Sequence, residues 1–144
     1  KKQLNNQEVF DKVARALMKQ GEASVPAGYD PISASNDVTC RYRIRRGTRT
    51  LKCAVGHLLP ARLYDKKMEG VTAEVVIFGG WYEGRRFEDI SGECGLQDVP
   101  KALLADLQEA HDDYLADNGI DAWRVRMLRI AGEYGLNTDV LNEK

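Results

Sequence analysis

Residues 39–65 read TCRYRIRRGTRTLKCAVGHLLPARLYD, and this stretch decides the fold class. Cys40, Tyr42 and Ile44 alternate with Arg41, Arg43 and Arg45; after Gly47, Leu51 and Cys53 alternate with Thr50 and Lys52. Strand side chains point to opposite faces in turn, so this period predicts a β-hairpin with one apolar and one cationic face. Arg46-Gly47-Thr48-Arg49 is the turn, because Gly47 tolerates positive φ. That register sets Ile44 opposite Leu51 and Tyr42 opposite Cys53, and a slip of one residue would drive the arginines into the core. After Cys53 the alternation stops. Residues 54–59 predict a short helix that Pro60, lacking an N–H, kinks or restarts. Cys53 then sits at a helix N-terminus, where unpaired N–H groups and the helix dipole favour a thiolate. His57 is spaced to share its face.

Upstream, residues 5–20 predict an amphipathic helix. Asn5 and Glu8 form a capping-box pair, Leu4 and Val9 a hydrophobic staple, and Phe10, Val13, Ala14 and Leu17 the apolar stripe, with Gly21 as the stop. Residues 22–38, with Pro26, Gly28 and Pro31, read as a loop. Downstream, residues 66–70 read as a turn, and the β-rich run 71–78 (VTAEVVIF) as a strand. Glu83-Gly84 then offers a turn for a second short hairpin, pairing Trp81-Tyr82 with residues 85–90; an irregular exposed loop is the alternative. Trp81 and Phe87 are expected to plug the core edge, since aromatics are more often packed than displayed. A recognition surface beside Gly79-Gly80 is the competing expectation. Residues 91–97, with Cys94, read as a loop.

The C-terminal third predicts two antiparallel helices over residues 98–135. Asp98 is the expected cap of the first, with Pro100 in its first turn and Leu103, Leu104, Leu107, Ala110, His111, Tyr114 and Leu115 buried. Asn118-Gly119 breaks the run. Asp121 is the expected cap of the second, with Ile120 and Val125 as a staple and Trp123, Met127, Ile130, Ala131 and Tyr134 inward. The whole is one α+β domain over residues 1–144, mainly helical with about four helices, a basic hairpin and a possible second one.

The chain is 43% hydrophobic and 30% charged, which marks a globular domain. Its net charge of −1 gives no global field toward nucleic acid or membrane. No apolar run approaches the roughly 20 residues of a membrane span, and no signal-peptide pattern opens the chain. Three cysteines, an odd number without tight spacing, fit a reducing cytoplasm rather than a disulfide framework.

Three constellations could carry chemistry. Cys53 with His111 and Asp112 (or Asp113) has the residue types of a thiol nucleophile, its base and its orienting carboxylate. The competing reading is an inert buried cysteine and a core histidine. Cys40, Cys53 and His57, with Cys94 and His111 as further donors, suit zinc, without a diagnostic spacing. The hairpin cations Arg41, Arg43, Arg45, Arg46, Arg49 and Lys52 could pair within the chain, meet an acidic protein, or clamp phosphates, ranked in that order. No cofactor motif is present in the sequence.

The run Cys40-Arg-Tyr-Arg, Lys52-Cys-Ala-Val-Gly-His-Leu-Leu-Pro, Leu63-Tyr-Asp and Met68-Glu-Gly, followed by His111-Asp112 and Trp123, resembles small proteins encoded by phages, prophages and plasmids. The resemblance implies a mobile-element origin, in the cytoplasm of a bacterial host, and no particular mechanism; it leaves residues 71–94 as a possible inserted strand or loop segment. The expectation drawn from it is a non-enzymatic accessory protein that binds and inhibits a host protein or defence complex, in the manner of an anti-CRISPR. Its contacts would come from Arg41, Arg43, Arg45, Arg46 and Arg49 of the first hairpin and Trp81, Tyr82, Arg85 and Arg86 of the second. A Cys53–His111 enzyme and a nucleic-acid-binding module are the alternatives.

Overall fold

The hydrogen-bond ladder of the first hairpin anchors everything around it. In the computed structural model, which describes residues 2–29 and 40–143, β1 (Arg43–Arg46) pairs antiparallel with β2 (Arg49–Lys52), with Ile44 opposite Leu51 as the alternation requires. The ladder ends at Arg43 and Lys52, one step short of Tyr42 and Cys53. Gly47 turns at a φ of 63°.

Ahead of it, α1 (Asn6–Gln20) has both bonds of the capping box between Asn5 and Glu8, and Gly21 ends it in the left-handed conformation. Behind it come α2 (Ala54–Leu58) and two single 3-10 turns, Ala61–Leu63 and Lys66–Met68. Of the expected loop at 22–38, residues 22–29 are irregular and 30–38 lie outside the described residues.

The run expected as a strand is a helix, α3 (Ala73–Phe78). Its β-branched residues suit a strand locally, but Ala73, Val76 and Ile77 are the buried ones, which is helical spacing. The inward stripe packs toward the C-terminal helices, and burial outweighs an intrinsic preference of a few tenths of a kcal/mol per residue, here about 0.5. Glu74 in the first turn pairs with Lys101 at 3.5 Å, and Lys101 also lies 5.3 Å from the centre of the Phe78 ring. The second hairpin follows, β3 (Gly80–Tyr82) against β4 (Arg85–Phe87). Residues 91–97 are not all loop: α4 (Ser91–Cys94) opens on Asp89, whose carboxylate accepts from the Ser91 N–H and hydroxyl.

The C-terminal hairpin of helices is present with altered ends. Helix α5 (Lys101–Glu109) starts after Pro100, so Asp98 is not its cap. It widens into a π-helical stretch, Ala110–Leu115, and finishes as α6 (Ala116–Asn118). Helix α7 (Ile120–Tyr134) is capped by Gly119, which leaves Asp121 inside the first turn. Val125 is 68% exposed, so it makes no staple with Ile120. The two runs are antiparallel: Arg126 meets Glu109 at 2.9 Å, and the Tyr134 hydroxyl donates to Asp106 at 3.0 Å.

One core joins these elements. Phe10, Val13 and Leu17 of α1, Val55 and Leu58 of α2, Leu103, Leu104 and Leu107 of α5, and Trp123, Met127 and Ile130 of α7 are all essentially inaccessible. No helix among the described residues is long and apolar enough to cross a membrane. The domain is α+β and mainly helical, with two separate two-stranded sheets.

Candidate functional site

The Cys-Ala-Val-Gly-His run is a structural junction, residue by residue. The Cys53 sulfur caps α2 by accepting from the Gly56 N–H at 3.3 Å. Val55 donates its N–H to Gln108 Oε1 at 3.0 Å. A Cβ on Gly56 would overlap the Tyr42 carbonyl oxygen, so only glycine lets α2 lie this close to the hairpin. The His57 ring meets Gln20 Oε1 at 2.9 Å. The Gln20 amide in turn runs along the outer edge of β2, accepting from the Lys52 N–H and donating to its carbonyl. Glu69 does the same for the start of β1: its carboxylate accepts from the N–H groups of Tyr42 and Arg43 and from the Tyr64 hydroxyl.

The proposed nucleophile therefore sits in the wrong environment. Cys53 is fully buried, and burial, then the nearby Asp112 charge, pushes its thiol up to about 12, opposite to the thiolate expected at a helix start. The dipole of a five-residue helix does not overcome desolvation. Cys40 is pushed up as well, again by burial first and Asp112 second.

His111 and Asp112 do come together with a cysteine, but it is Cys40. One ligating atom each of Cys40, His111 and Asp112 lie within 4.8 Å of one another. The widened π turn presents His111 inward and Asp112 beside it. The surrounding bonds fix the ring. The Ser24 N–H donates to Nε2 at 2.9 Å, so the proton is on Nδ1, which donates to Asp112 Oδ1 at 2.8 Å. The same carboxylate oxygen accepts from Gln108 Nε2 at 3.0 Å. Both ring nitrogens are thus hydrogen-bonded within the chain, and Nε2, the acceptor of the Ser24 N–H, is not free to deprotonate a thiol. His57 belongs to the separate Gln20 network, so the expected set Cys40, Cys53 and His57 is not assembled. Ser24 is the hub of this latch. It is fully buried, its hydroxyl donates to the Leu51 carbonyl, and its own carbonyl accepts from the Arg41 N–H. The arrangement joins the segment after α1, the hairpin and the C-terminal helices.

The cationic face divides. Glu22 takes Arg46 at 2.8 Å and Arg49 at 2.5 Å, and Arg49 also donates to the Gln20 carbonyl. Arg43 lies 5.8 Å from the centre of the Tyr64 ring. Arg45 is exposed, with its Nε directed at the Gly47 carbonyl at 3.4 Å. Arg41 is half-buried. The pairing within the chain that ranked first holds for Arg46 and Arg49.

The second hairpin separates its two aromatics. Phe87 is buried, as expected, with Lys67 and Arg85 placed 5.9 and 5.5 Å from its ring centre. Trp81 is not packed at all: 70% of it is exposed, directly across from Arg86. Tyr82 and Arg85 form the next pair, with Tyr82 half-buried. The hairpin is firmly held. A Cβ on Gly79 would come within 2.7 Å of the Asp89 N, and the Ile90 N–H donates to the Ile77 carbonyl at 2.9 Å. Its turn places Glu83 at φ 49° and Gly84 at φ 78°, the two positive values of a tight I′ hairpin turn.

Sequence reasoning missed Gln20, Glu22, Ser24, Glu69 and Gln108, whose partners lie far away in sequence. No family model, curated protein or solved structure matches this chain.

Proposed function

We propose that this chain is a non-enzymatic binding protein that grips a protein partner through the outer face of its second hairpin. The observation that carries the reading is Trp81, 70% exposed on a rigid two-stranded ribbon with Arg86 across from it. Tryptophan and arginine dominate the energetics of protein interfaces, and a preordered ribbon loses little entropy when it docks. Arg86, on the same face, supplies a cation for an acidic group on the partner, whereas Arg85 lies on the other face, over the Phe87 ring. The resemblance to small phage and prophage proteins suggests a host protein or defence complex as the target, with inhibition as the outcome. Arg46 and Arg49 take no part, because Glu22 holds them.

The test is capture from a bacterial lysate with tagged wild-type chain, beside Trp81→Ala and Arg86→Glu. One host protein retained by wild type and lost with both variants supports the reading; equal retention by both refutes this surface. A shift of nucleic acid at low salt that fails in high salt would favour a phosphate-binding role instead.

A further inference from the structure

A second exposed apolar surface lies on α7. Val125 and Leu128 are 68% and 47% exposed, on a helix whose other large apolar residues are inaccessible or half-buried. Asp121, Val125, Leu128 and Gly132 are spaced four, three and four residues apart, so the four share one face of α7. Arg124 and Arg129 flank this face; Arg124 donates to the Leu141 carbonyl at 3.1 Å, whereas Arg126, farther round the helix, pairs with Glu109 and lies 5.5 Å from the Tyr114 ring centre. Asp121 and Arg129, both exposed, make no ion pair among the described residues. A Cβ on Gly132 would meet nothing, so the backbone there is open to close approach.

We infer that this face binds a second copy of the chain, α7 against α7, in antiparallel orientation. The charges select the occupant and the direction. Laid antiparallel, Val125 packs on Leu128 of the second copy, and Asp121 lies over the open Gly132, within a turn of Arg129, twice by symmetry. Laid parallel, Asp121 faces Asp121 and Arg124 approaches Arg129, so like charges oppose association. The contact is one helix face, smaller than the roughly 1,000 Å² of a stable complex. The dimer is therefore weak, with a Kd of about 10–500 µM.

Sedimentation equilibrium of the full chain from about 10 µM to about 1 mM reads this out. Wild type is expected to rise from monomer toward dimer mass. V125E/L128E is expected to remain monomeric with an unchanged circular dichroism spectrum. D121R and R129D should each weaken association about three- to tenfold, and the D121R/R129D double variant should recover it. Wild type that stays monomeric overturns the proposal, and so does V125E/L128E that associates normally. A double variant no better than the singles overturns the antiparallel arrangement. The charge-reversal set keeps the test standing should V125E/L128E fail to fold. None of these changes touches the Trp81 surface.

Discussion

The two hairpins use similar residues for opposite ends. In the first, much of the polar surface turns back on the molecule: Gln20 covers one strand edge, Glu69 clasps the start of the other strand, and Glu22 holds two arginines. In the second, the turn and the Gly79 contact fix the ribbon, yet its outer face carries a large indole into solvent. A cationic ribbon is thus not by itself a binding surface, since acids elsewhere in the same chain can occupy it. What distinguishes a contact face is apolar area left exposed on a backbone that is otherwise held.

This contrast can be broken at the first hairpin, where substitutions should harm folding. His111→Ala should cost the most, about 3 kcal/mol, because it leaves the buried Ser24 N–H without an acceptor and opens a cavity; chemical denaturation measures it. Gly56→Ala should follow at about 2–3 kcal/mol, since the Tyr42 carbonyl must move. The same denaturation curves would reveal a loose junction if the loss were under about 0.5 kcal/mol.

Acid should weaken the junction next. Burial, then Lys52, lowers His57 from the ordinary 6.5 to about 4. Its folded value lies below its unfolded one, so the unfolded chain takes up the proton first. Stability is full above about 6.5 and falls as the pH drops toward 4, by about 2 kcal/mol after allowance for partial exposure. His57→Gln should flatten that segment of the stability–pH curve.

Glu22→Ala should cost only about 1 kcal/mol, because both of its ion pairs are partly exposed, and the loss should shrink in high salt. It should also release Arg46 and Arg49, giving the first hairpin the free cationic face it lacks.

Strict alternation made the first hairpin legible down to its register, because a slip would bury arginine. The cap and stripe of α1 were equally plain, whereas Glu83-Gly84 left a hairpin and an irregular loop both open, and the hairpin forms. Residues 71–78 were not plain: three valines, an isoleucine and a threonine favour a strand locally, and only packing against the C-terminal helices makes residues 73–78 helical. The ends of α5 and α7 were misplaced because Asp98 and Asp121 are good caps that glycine and proline backbones pre-empted. At the candidate site, residue types were readable but their partners were not. His111 and Asp112 were singled out as chemistry, whereas Ser24 and Gln108, which commit their atoms to structure, carry no local signature.

Trp81→Ala should change stability least, by under about 0.5 kcal/mol, since an indole so exposed contributes little to the fold. The same substitution is the most direct test of the binding role. Titrating the captured host protein against wild type and Trp81→Ala, matched in denaturation midpoint, is expected to show affinity at least about thirtyfold weaker for the variant. Affinities within about twofold of each other would mean that the exposed ring is incidental and that the contact lies elsewhere.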